Sequence, residues 1–115
     1  MRTAVTGPGD KKLYVYLVYV EGLANIKRIL TGLKPVLAKK YHISSIGLFG
    51  SVVRDDYKET SDIDIIVEFS RPIGIEFIDL ADFMEKKLNR PVDPVSKKGI
   101  KEKYYNAIAP EIIYV

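Results

Sequence analysis

The chain has 115 residues, 47% hydrophobic and 29% charged, a balance that supports one globular domain and excludes a disordered polymer. Its longest apolar run, Leu13 to Val20, falls far short of the roughly 20 residues that cross a bilayer, and the lack of cysteine excludes disulfides and thiolate sites. The formal net charge of +3 is compatible with nucleotides or acidic partners, but Lys and Arg alternate with acids, as in Met84 to Arg90, in the manner of a solvated surface. Gly7, Pro8, Gly9 and Asp10 stand where a signal peptide would be apolar, so the expected compartment is the cytoplasm.

Residues 1–10 are a loose, Gly/Pro-marked start. Lys11 to Glu21 carries the β-branched and aromatic run LYVYLVYV, which predicts a strand ending at Gly22. From Leu23 to Tyr41 the residues Ile26, Ile29, Leu30, Leu33 and Leu37 recur at helical spacing, with Pro35 as a point of kinking or breakage. A short buried strand follows over Ile43 to Phe49, closed by Gly50-Ser51, and Ser51 is a suitable N-cap for a brief helix over Val52 to Lys58. SDIDIIVEF, Ser61 to Phe69, is the strongest strand signal in the chain. Ile75 to Leu88 predicts an amphipathic helix with Phe77, Leu80, Ala81, Met84 and Leu88 on one side. Val92 to Val95 predicts another strand, Lys97 to Ala109 a helix stopped by Pro110, and Ile112 to Val115 a last strand.

From Leu23 onward helices and strands alternate, which predicts an α/β (α+β) domain over 23–115 built on a central sheet covered by helices. Residues 1–22 form an N-terminal extension, read as an added strand. Its tyrosines Tyr14, Tyr16 and Tyr19 suit strand packing or an interface, which leaves room for a homo-oligomer.

Asp62 and Asp64 carry the chemistry. Residues two apart in a strand share a face, with backbones roughly 6–7 Å apart. Asp is depleted in strands, and two like charges on one side repel each other, so packing alone does not account for the pair. A hard divalent ion does: Mg²⁺ takes carboxylate, phosphate and water oxygens, and two such ions would serve both the attacking and the leaving oxygen. The plainer reading puts Ser61 and Asp62 in a turn and only Asp64 in the strand. Gly50-Ser51 adds a second feature. A strand ending in Gly-Ser exposes backbone N–H groups suited to a phosphate, although an isolated Gly-Ser is also an ordinary capped turn. Ten residues separate Ser51 from Asp62, room for a short helix and a return to a neighbouring strand.

GLFGSVVRDDYKETSDIDIIVEF has the pattern G-S-x10-D-x-D and resembles the DNA polymerase beta nucleotidyltransferase superfamily, most closely its minimal MNT-type members. The resemblance runs from about Leu23 to the C-terminus. It implies a mixed sheet with helices mainly on one face, triphosphate binding at Gly50 and Ser51, and Mg²⁺ binding at Asp62 and Asp64. It also implies a third carboxylate on a following strand, for which Asp93 in PVDPV is the matching position. Taken alone, Asp93 is a loop or strand-end residue. Pro94, where many members have an apolar residue, would disturb the strand edge. Arg54 could reach a phosphate or a partner. Members often have Gly after this Arg, whereas Asp55 follows here. His42, with no ligand-spaced companion, is read as structural.

The implied reaction begins with ATP lying across Gly50-Ser51. A hydroxyl near Asp93 attacks the α-phosphorus, and pyrophosphate leaves. The chain ends soon after its last strand signals, so the acceptor site would be shallow or completed by another protein. The resemblance implies a helical HEPN-type toxin as that partner, with the small enzyme acting as antitoxin by moving AMP onto a tyrosine. Transfer to a small molecule or an RNA end is the lesser alternative, because no recognition surface for either stands out in the chain. The competing reading is a noncatalytic module that neutralises its partner by contact alone.

Overall fold

The computed structural model describes residues 10–54 and 62–115, with side chains from residue 22 onward. Helix α1, Asp10–Tyr41, is followed by β1, Ile43–Phe49, and a 3₁₀ turn over Gly50–Val53. Then come β2, Ile63–Phe69; α2, Glu76–Leu88; β3, Val92–Ser96; α3, Glu102–Ile108; a 3₁₀ turn over Ala109–Glu111; and β4, Ile113–Tyr114. The sheet order is β3-β2-β1-β4, with β2 and β3 parallel and both pairs involving β1 antiparallel. The sheet is therefore mixed, as expected.

The strand predicted over Lys11 to Glu21 is not a strand. These residues are the first part of α1, which continues through Gly22 without interruption, so the boundary drawn at 22 falls inside a helix. β propensity is a weak preference, whereas adding a turn to an existing helix gains one hydrogen bond per residue without a new nucleus. Gly22 costs about 1 kcal/mol and does not end the helix. Pro35 does not end it either. The helix stops at His42, which takes a left-handed φ of 60° and gives its N–H to Ala38 O at 3.1 Å. The His42 carbonyl accepts Ser70 N–H at 2.7 Å, and Nε2 meets Arg71 Nη2 at 2.6 Å. Its work here is to end the helix and join it to the far end of β2.

Strand alternation divides the residues between two faces. Ile63, Ile65 and Val67 of β2 join Ile46 and Leu48 of β1 under Ile26, Leu30, Leu37 and Tyr41 of α1 and Leu80, Met84 and Leu88 of α2. The opposite face carries Phe49 and Ile66, packed with Ile108 of α3 and flanked by Val95, Tyr105 and Ile112. Two helices cover one face and the shorter α3 the other. Asp64 and Asp93 belong to the α3 face by alternation. Gly47 of β1 shows how tightly that face is closed: a Cβ there would come within 2.6 Å of Ile112 Cγ2 and 3.1 Å of Ile66 Cγ2. Among the described residues no helix is long and apolar enough to cross a membrane.

Candidate functional site

β1 runs antiparallel to β2, so the C-terminal end of one meets the N-terminal end of the other. Phe49 pairs with Asp64, and the next residue, Gly50, turns the chain away at a φ of +77°. That left-handed conformation favours glycine. Space demands it too, because a Cβ on Gly50 would run into Asp64 Oδ2 and lie 3.1 Å from Asp64 Cγ. The carboxylate of Asp64 thus rests against the Gly50 backbone. Ser51 lies within the 3₁₀ turn and is not its cap; Phe49 holds the capping position, with no side-chain cap. The helix expected over Val52 to Lys58 is observed only as this turn, up to Val53; residues 55–61, including Asp55 and Ser61, lie outside the described residues.

On the other side, β3 is in parallel register with β2. Asp64 pairs with Asp93 and Ile65 with Pro94, and the ladder continues to Val67 opposite Ser96. Pro94 does not disturb the strand, because β3 lies at the sheet edge, where a missing N–H can face outward. Asp62 is exposed and comes just before β2, whose first N–H, that of Ile63, is donated to Pro91 O at 2.9 Å. Only Asp64 of the pair is inside the strand. Gly50, Asp62, Asp64 and Asp93 nevertheless meet at one end of the sheet.

Their electrostatics follow from this crowding. Burial is the main influence pushing the Asp64 carboxyl above its ordinary value, followed by the charges of Asp93 and Asp62. Arg54 pulls in the opposite direction, and Glu111 adds a smaller upward push. A half-buried carboxylate facing several like charges is an arrangement that a hard cation would relieve, and all-oxygen donors are what Mg²⁺ prefers. The donor set fits such an ion. Among the described residues, however, no three acidic or histidine side chains stand as a ready-made ligand cluster.

Glu111 was not singled out in the sequence. It lies in the 3₁₀ turn after α3, and its Oε1 accepts the Gly50 N–H at 3.2 Å. Arg54 grips the same carboxylate with two donors, Nε to Oε2 at 3.2 Å and Nη2 to Oε1 at 3.3 Å. An acid between Pro110 and Ile112 has no motif to mark it, and only the antiparallel return of β4 onto β1 brings it here.

The nucleotidyltransferase domain profile matches residues 30–114. The chain belongs to that family. A relative from Methanocaldococcus jannaschii, named for protein adenylyltransferase activity, is 42% identical over 97 residues, covering 81% of this chain and 97% of its own length. The protein adenylyltransferase MntA of Thermococcus cleftensis is 38% identical over 94 residues, covering 81% of this chain and 95% of its own. Among solved structures, one described as a minimal nucleotidyltransferase superposes with a TM-score of 0.62 at 26% identity, covering 78% of this chain and 88% of that one. A mutant MntA–HpeT toxin–antitoxin structure has the same TM-score of 0.62 at 20% identity, covering 77% and 70%, and shares the fold. The protein is therefore a nucleotidyltransferase, and the acidic end of its sheet is the candidate active site.

Proposed function

We propose that this nucleotidyltransferase moves AMP from ATP to a tyrosine hydroxyl of a helical HEPN-type toxin and so acts as its antitoxin. The similarity to protein adenylyltransferases at 42% and 38% identity supports a protein acceptor. The shared fold with the MntA–HpeT structure is compatible with a toxin partner. The observation that carries the proposal is the meeting of Asp64 with Gly50 on one side and, through strand register, with Asp93 on the other.

In this reading the backbone N–H groups of Gly50 and Ser51 donate to the triphosphate, and the absence of a Gly50 side chain lets the phosphate approach. Asp62, Asp64 and Asp93 would hold Mg²⁺, which would neutralise the phosphate oxygens and ease ionisation of the acceptor hydroxyl. Asp93 receives the hydroxyl proton on a carboxylate oxygen while the acceptor oxygen bonds to the α-phosphorus. The bond from the α-phosphorus to the bridging oxygen breaks, and pyrophosphate departs. Positioning and charge neutralisation supply most of the rate. The setting proposed is the cytoplasm, where ATP and Mg²⁺ are available.

The test is to incubate the protein with α-labelled ATP, Mg²⁺ and the product of the neighbouring reading frame. Label should appear on a partner tyrosine and vanish with Asp62→Ala. A tight complex that acquires no label would replace the enzyme reading with inhibition by contact.

A further inference from the structure

The Gly50 N–H of the phosphate cradle, and Arg54 beside it, are already engaged by an anion belonging to the chain itself. We infer that the Glu111 carboxylate is an internal stand-in for a nucleotide phosphate, which an incoming triphosphate has to displace, so that Glu111 sets the affinity for nucleotide. The inference rests on the proposed assignment of Gly50 to triphosphate binding, and on the expectation from the sequence that Arg54 reaches a phosphate.

The contacts are those a phosphate would make. One backbone N–H at a left-handed glycine and two guanidinium donors converge on the two Glu111 oxygens at 3.2–3.3 Å. A guanidinium fork that matches a carboxylate matches two phosphate oxygens equally well. The occupant is also placed to leave. The Glu111 and Arg54 side chains are 27% and 52% exposed, so neither is sealed in the core. Glu111 is carried by a three-residue 3₁₀ turn leading into a two-residue edge strand, an element with few bonds to break.

Crowding opposes Glu111 as well, because it adds another negative charge to the group formed by Asp62, Asp64 and Asp93. A Glu111 that moves out would hand its donors to the phosphates. If the carboxylate stayed in place, it would act only to orient Arg54, and its loss would weaken nucleotide binding. The two roles predict opposite signs.

The experiment is titration of a fluorescent ATP analogue with Mg²⁺ into the wild-type chain, Glu111→Gln and Glu111→Ala, with folding checked by circular dichroism. Glu111→Gln keeps size and one acceptor oxygen but removes the charge and puts an amide donor where the second acceptor stood. It therefore grips Gly50 and Arg54 less tightly, and its Kd should fall about 3- to 10-fold. Inorganic tripolyphosphate should compete with the analogue and show the same gain, because the exchange is for phosphate rather than base. An unchanged or raised Kd in folded Glu111→Gln overturns the inference. If the wild-type chain binds and transfers nucleotide but Glu111→Gln binds no tighter, only this inference fails. If the wild-type chain neither binds nor transfers, the assignment of the site fails with it.

Discussion

Asp64 and Gly50 are coupled by contact, and each constrains what the other can be. A Gly50→Ala variant puts a methyl group against the Asp64 carboxylate and a side chain on a φ of +77°, so nucleotide binding should weaken at least tenfold and melting temperature should drop. Fluorescent-nucleotide titration and thermal melts check both. In the role proposed for it, Asp64 sets stability against function. Its carboxyl is raised above the unfolded value by burial and by Asp93 and Asp62, so its contribution to stability is complete below the unfolded pKa and is lost as pH rises through the folded one. Asp64→Asn should therefore melt a few degrees higher than wild type at neutral pH, with the gap closing in acid, while label transfer falls by about a thousandfold or more. A variant that melts lower at neutral pH would remove the charge-crowding argument.

The elements place these residues through two antiparallel pairings and one parallel one. α1 and α2 are joined across the core by Tyr41, whose hydroxyl donates to Asp79 and whose pKa is pushed up to about 12 by burial first and then by Asp79. That contribution is intact below pH 10 and is lost as pH rises through about 12, and Tyr41→Phe should flatten alkaline unfolding over that window. On the other face, Gly47→Ala would drive a methyl into Ile112 and loosen β4 and the turn that carries Glu111. We expect a loss of about 1–3 kcal/mol by denaturant unfolding, together with altered nucleotide affinity, since the same turn holds the Arg54 partner. Apart from the brief helix expected after Ser51, the order and type of the described elements after Leu23 were legible from periodicity, because Leu80, Met84 and Leu88 repeat every turn and IDIIVEF could only be extended. The strand read into LYVYLVYV was not, because local propensity does not register that a helix already under way beside it can simply continue.

The molecule as a whole is longer than its sheet. α1, with 32 residues, is about 48 Å long, while the seven-residue strands span about 23 Å, so roughly half the helix is enough to cover the sheet. The first buried side chain described in α1 is Ile26. We propose that the domain is carried by residues 23–115, and that a chain beginning at Gly22 will keep its melting temperature within a few degrees and retain nucleotide binding. Collapse of that truncated chain would make the first half of α1 part of the folding unit. Within the core, Leu30→Ala, at a fully buried position shared by α1 and the sheet, should cost about 2–5 kcal/mol.

The linear pattern by itself determined the acidic pair, the glycine-serine bend and the family, because spacing between a strand end and the next strand is a local property of the chain. Only the tertiary structure decided that Asp64 touches Gly50, that Pro94 is harmless and that Glu111 occupies the bend. Each of those depends on which strands become neighbours, and such pairings are settled by burying two faces of one sheet at once rather than by any segment alone.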